Sequence, residues 1–169
     1  MDNRKHMMQE WANLAIDTAK RRGASYSDVR VMDIRHRDIS TKNGEVGNLA
    51  ESESLGIGIR VIAGGAWGFA STDRLTREGV QACAAQAVAI AKASALAKLE
   101  NVALAPEKAY VDTWQNPFLK DPFRIPVERQ IDLLLAADKE MRGVKGITVA
   151  EGSMSFRRIE QLFVSSAGS

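Results

Sequence analysis

Residues 56–72 read GIGIRVIAGGAWGFAST, five glycines around a single tryptophan, with Gly64-Gly65 between two runs of β-forming residues. A two-residue hairpin of the type that matches strand twist needs positive φ at both central positions, and glycine supplies it without steric cost. The register then follows by counting. Ile62 pairs with Trp67, Arg60 with Phe69 and Gly58 with Ser71 on one face, while Ile57, Ile59 and Val61 share the other face with Thr72, Ala70 and Gly68. The second face is aliphatic on one strand and nearly flat on its partner, so a helix can approach it closely. The first face gathers Trp67, Phe69 and Ile62 around Arg60.

Residues 77–98 supply such a helix. They are rich in alanine, Thr76 stands at the N-cap position, Glu78 lies in the positive first turn, and Val80, Cys83, Ala87, Ile90 and Ser94 form one stripe. Residues 7–22 carry Met7, Met8, Trp11, Leu14, Ala15 and Thr18 at helical spacing and stop at Gly23. An extended run from Val29 reaches the hairpin signal Asn43-Gly44 and returns through residue 54, which sets Lys42 opposite Glu45 and His36 opposite Glu51. All four prolines fall within residues 99–126, which predicts a wrapped loop. A third helix starts at Pro126 and ends at Gly143, and a third hairpin is predicted about residues 158–160.

The pattern predicts an α+β fold: an antiparallel or mixed sheet built from hairpins, with two or three helices packed on one face. Residues 1–169 read as a single domain, comprising a helix-hairpin-hairpin-helix unit over 1–98, the loop over 99–126, and a helix plus hairpin over 127–169. A formal net charge of +2 is too small to drive nucleic-acid or membrane binding by field alone, and the basic runs are short. One cysteine, Cys83, excludes an intrachain disulfide and fits a reducing compartment; its place on an apolar stripe reads as packing. No stretch has the length of a membrane span or the order of a signal peptide, so the expected location is the cytoplasm.

Few residues suggest chemistry. The two histidines, His6 and His36, lack a partner at metal-ligand spacing. Gly56-Ile-Gly58 opens like a dinucleotide fingerprint, but position 61 is valine and the glycines sit inside a strand. There is no nucleophile elbow, no P-loop, and no histidine near a serine that would make a credible nucleophile pair. No catalytic, cofactor or metal residue is therefore expected. The candidate contact residues are Trp67, Phe69, Arg60 and Ile62, with Trp67 packed either under the proline-containing loop or at an interface.

Several segments together resemble the N-terminal domain of the TldD/PmbA family: YSDVRV at 26–31, STKNGEV at 40–46, the glycine-rich run at 56–72, DPFRIPVERQIDLL at 121–134 and GSMSFRRIEQLFVSSAGS at 152–169. The glycine-rich run is the most specific. The resemblance implies a cytoplasmic protein of a family historically named modulators of DNA gyrase. It also implies a TldD branch of dimeric zinc metallopeptidases that process peptides. The family's His-Glu-x-x-x-His motif is absent here, so zinc is expected in a C-terminal part outside this sequence, and the chain alone is expected to be inactive. Whether the parent is TldD-like or PmbA-like stays open. Three readings follow: a non-catalytic domain of a peptidase subunit that helps form the peptide channel or a homo- or heterodimer contact, a scaffold domain of a catalytically silent homologue, and a gyrase-linked regulator. The small charge disfavours the last.

Overall fold

The computed structural model describes residues 2–106 and 108–168. In chain order the elements are α1 (Asp2–Arg21), β1 (Tyr26–Lys42), β2 (Glu45–Ala63), β3 (Ala66–Thr72), α2 (Arg77–Ser94), a 3-10 turn (Pro122–Arg124), α3 (Val127–Gly143) and β4 (Glu151–Ser165). The strands form one sheet in the order β3-β2-β1-β4. The chain divides into two compact units, one from Met1–Asp33, Ser54–Thr113 and Glu160–Ser169, the other from Ile34–Glu53 and Trp114–Ile159. This is the α+β architecture read from the sequence.

In the first unit the predicted β2–β3 register is found, from Ile57 opposite Thr72 to Ala63 opposite Ala66, and Gly64 and Gly65 both have positive φ, 61° and 77°. Thr76 caps α2 by accepting from the Gly79 amide at 3.1 Å. The core joins Met8, Ala12, Ala15 and Ala19 of α1 and Val80, Cys83, Ala84, Ala87, Val88 and Ala91 of α2 to Val29, Val31, Ile57, Ile59 and Val61. Each buried Val or Ile contributes about 1.5–3 kcal/mol. The flat place beside Trp67 is filled by the backbone of α2: a Cβ at Gly68 would lie 2.1 Å from the Ala87 carbonyl oxygen and 2.5 Å from the Ala91 amide nitrogen. Glycine neighbours the tryptophan because successive strand residues face opposite ways, one toward α2 and one away.

The apolar stripe of α2 differs from the predicted one. Ile90 is exposed, Ala84, Val88 and Ala91 face the core, and the helix ends at Ser94, with Ala95 as C-cap. Past that point Leu96 and Leu99 point into solvent, so the residues up to 98 have no apolar partner to extend the helix. Cys83 is buried, and burial pushes its thiol pKa up.

In the second unit the Asn43-Gly44 turn is present, with φ of 52° and 87°. Glu51, however, does not pair with His36. Its carboxylate accepts from Arg35 and Arg37, which alternation places on the opposite side of β1 from His36. Near the turn, a Cβ at Gly47 would sit 3.4 Å from Ser40 Oγ, as the two-residue turn requires. Helix α3 buries Gln130, Leu134 and Asp138, one turn apart along a single line. The predicted third hairpin is absent, since residues 151–165 form one continuous strand. Arg157, Arg158, Ile159 and Glu160 offer no turn chemistry, and the alternation keeps its phase, with Met154, Phe156, Leu162 and Val164 all half-buried.

Two substitutions separate close packing from turn strain. Gly68→Ala meets the α2 backbone and is expected to cost about 3 kcal/mol. Gly65→Val strains a positive φ and is expected to cost more than about 1 kcal/mol. Denaturant midpoints with unchanged slopes measure both, and an unshifted midpoint in either variant contradicts the packing or the turn described.

Candidate functional site

On the sheet face away from α1 and α2, alternation along β1 brings Tyr26, Asp28 and Arg30 to one side, and β2 places Arg60 beside them. Asp28 is fully buried. Such a carboxylate is tolerated only with full pairing. Arg60 donates to Oδ2 through Nε at 2.8 Å and Nη2 at 2.7 Å, and Arg30 donates to Oδ1 through Nη1 at 2.9 Å. The Arg60 guanidinium lies 4.6 Å from the Trp67 ring centroid, and the edge of Tyr26 meets the indole at 6.1 Å and 84°. Arg30 sits 4.9 Å from the Phe163 ring of β4. Burial, and then the Asp28 charge, raise the Tyr26 pKa above the usual phenol value.

Of the candidate residues, Trp67 and Arg60 stack directly, and Trp67 is half-buried. Phe69 is 56% exposed, with its ring 3.2 Å from where a Cβ of Gly58 would stand. Ile62 is 5% exposed and has little surface to offer. Sequence reasoning missed Tyr26, Asp28, Arg30 and Phe163. The available signal was an acid and a base two apart in an otherwise apolar β run, which places both on one face with a second arginine across the hairpin.

The second unit holds another arginine and aromatic cluster. Arg35, Arg37 and Arg158 stand 4.9, 5.3 and 5.6 Å from the Phe123 centroid. Arg37 also donates to Gln130 at 3.1 Å, and Gln130 donates to the Pro122 carbonyl at 2.8 Å. Hydrogen bonds from Arg35 and then Arg37 hold the Glu51 carboxyl below its ordinary pKa. These contacts account for the DPFRIPVERQ segment as a fastening of the 3-10 turn and α3. The fold also brings together a serine and a histidine that the sequence keeps 119 residues apart: His36 Nε2 lies 3.0 Å from Ser155 Oγ, and its Nδ1 lies 3.2 Å from Asp38. The imidazole and the carboxylate are 38% and 42% exposed, so water competes for both contacts.

Among the described residues no group of three or more His, Cys, Asp or Glu could hold a metal ion, and His6 meets only Glu10, at 3.4 Å. A zinc ion does not fit these residues. No helix among them is long and apolar enough to cross a membrane. Residues 27–91, which contain both hairpin turns and Asp28, Arg30, Arg60 and Trp67, match the family described as PmbA/TldA metallopeptidase domain 1.

That match covers 65 of the 169 residues and is a similarity to this family over the stretch from β1 to α2.

A metalloprotease of Methanocaldococcus jannaschii is 23% identical over 146 residues, 85% of this chain and 32% of that protein. Three crystal structures share the fold. Proteins described as modulators of DNA gyrase superpose with a TM-score of 0.78 at 17% identity (Bacteroides thetaiotaomicron, 95% of this chain and 37% of that one) and 0.75 at 14% identity (Thermotoga maritima, 95% and 36%). TldE of Thermococcus kodakarensis superposes at 0.65 with 18% identity, over 90% and 34%. The chain spans about a third of the length of each relative.

Asp28→Asn leaves two guanidiniums without their buried counter-charge and is expected to cost about 3–5 kcal/mol. Where the variant remains folded, the Tyr26 phenol is expected to titrate at lower pH than in the parent, read by ultraviolet titration in a Tyr110→Phe background. Because the folded pKa of Tyr26 is raised, its contribution to stability is intact below the ordinary tyrosine pKa and is lost as the pH rises through the folded value. An unmoved phenolate transition contradicts the placement of Asp28.

Proposed function

We propose that this chain is the non-catalytic first domain of a cytoplasmic, TldD/PmbA-like zinc metallopeptidase subunit that processes peptides. In this reading the Arg60 and Trp67 face lines the peptide channel or makes the contact with a second TldD/PmbA-like subunit. The observation that supports it is the asymmetry of the sheet in the first unit. One face is buried by two helices, while the other presents Phe69 at 56% and Phe163 at 37% exposure beside a half-buried tryptophan and two arginines. Aromatic residues beside arginine are the commonest anchors of protein interfaces, and clustered exposed rings mark interaction surfaces. The hydrolytic zinc belongs, in this reading, to a C-terminal part of the longer protein.

Phe69→Ala tests the surface. The ring is exposed, so the substitution is expected to leave the Tm of this chain within about 2 °C. In the longer protein it is expected to weaken subunit or peptide binding at least about tenfold, ~1.4 kcal/mol. Unchanged assembly and unchanged peptide cleavage would remove the interface role. The dialysed chain alone is expected to cleave no peptide, and about one retained zinc per chain would overturn its assignment as non-catalytic.

A further inference from the structure

The same face carries a charge imbalance that restricts what can cover it. Two guanidiniums share the single Asp28 carboxylate, which leaves one net positive charge. Asp28 is fully buried, whereas the Arg30 and Arg60 side chains are each 42% exposed, so the negative member points inward and the positive members outward. Arg30 gives Asp28 one of its five N–H donors. Gly56 and Gly58 add no side chains to this stretch of β2, and Phe69 and Phe163 are the exposed rings of the face.

An apolar partner laid over this face would take two guanidiniums out of water with half of their charge unmatched, at a desolvation cost that packing does not return. A carboxylate placed between them restores neutrality and accepts charge-assisted hydrogen bonds in the fork geometry arginine favours. We infer that this face is a docking surface for an acidic polypeptide segment, one carboxylate of which bridges Arg30 and Arg60 while an apolar neighbour lies against Phe69 or Phe163. The inference rests on the interface reading above only in that a polypeptide docks here; it needs no peptidase activity.

The test titrates the 169-residue chain with a fluorescently labelled, extended Glu/Thr/Val peptide and with its isostere carrying Gln for every Glu, following anisotropy at low and high salt. The Glu peptide is expected to bind at least tenfold more tightly, and the advantage is expected to shrink between about 0.05 and 0.5 M salt as the charges are screened. Arg30→Gln, which gives up one hydrogen bond to Asp28 and leaves both from Arg60, is expected to abolish the preference while the circular dichroism melt stays cooperative. If that variant does not fold, the Glu and Gln comparison on the parent chain still decides. Equal affinity for the two peptides, or binding of neither, overturns the proposal. Self-association that the Glu peptide does not compete away also overturns it and assigns the face to a second copy. Because cleavage is not read, a failed peptidase assignment leaves this result standing, and the reverse holds as well.

Discussion

The contact of α2 with Gly68 orders the first unit. Backbone lies on backbone there, a fit that requires both a missing side chain on β3 and alanines at positions 87 and 91. With the helix seated, the aliphatic faces of β1 and β2 and the small side chains of α1 and α2 close into one core. Strand alternation then leaves every residue of opposite parity on the far side. Trp67, Phe69, Arg60 and Asp28 are gathered there because their neighbours in sequence are needed by the helices.

That far side is held by charge where the near side is held by apolar burial. A fully buried carboxylate adds little net stability relative to a well-packed apolar group, but it demands specific partners. Asp28 fixes Arg60 over the indole and Arg30 beside Phe163, so rings and cations from four strands take defined positions. The second unit repeats the device around Phe123, with Glu51 between Arg35 and Arg37.

What the sequence revealed depended on the range of the interaction. Turn chemistry is local, so Asn43-Gly44 and Gly64-Gly65 were legible with their positive φ, and the β2–β3 register followed by counting. The N-cap at Thr76 was local as well. The hold of Arg35 and Arg37 on the Glu51 carboxylate left no such mark, because it is a side-chain contact between strands. The long β4 reads as a hairpin in the sequence because Arg157, Arg158 and Glu160 interrupt it with charge, and charge alone does not turn a chain without Gly, Pro, Asn or Asp to bend it. At the candidate site Trp67, Phe69 and Arg60 were legible from one hairpin. Asp28 and Arg30 carried only the local sign of an acid and a base two apart, and their meeting with Arg60 and Phe163 depends on β1 lying between β2 and β4. The proximity of His36 and Ser155 was hidden in the same way.

If the face opposite the helices is a partner surface, its rings change environment on assembly while the core does not. Oxidative footprinting read by mass spectrometry on this chain and on the assembled longer protein measures this most directly. Phe69 and Phe163 are expected to be labelled in the chain alone and strongly protected in the assembly, with Met8, buried against the core in both, labelled weakly throughout. Equal labelling of Phe69 and Phe163 in the two samples would contradict a partner surface on this face.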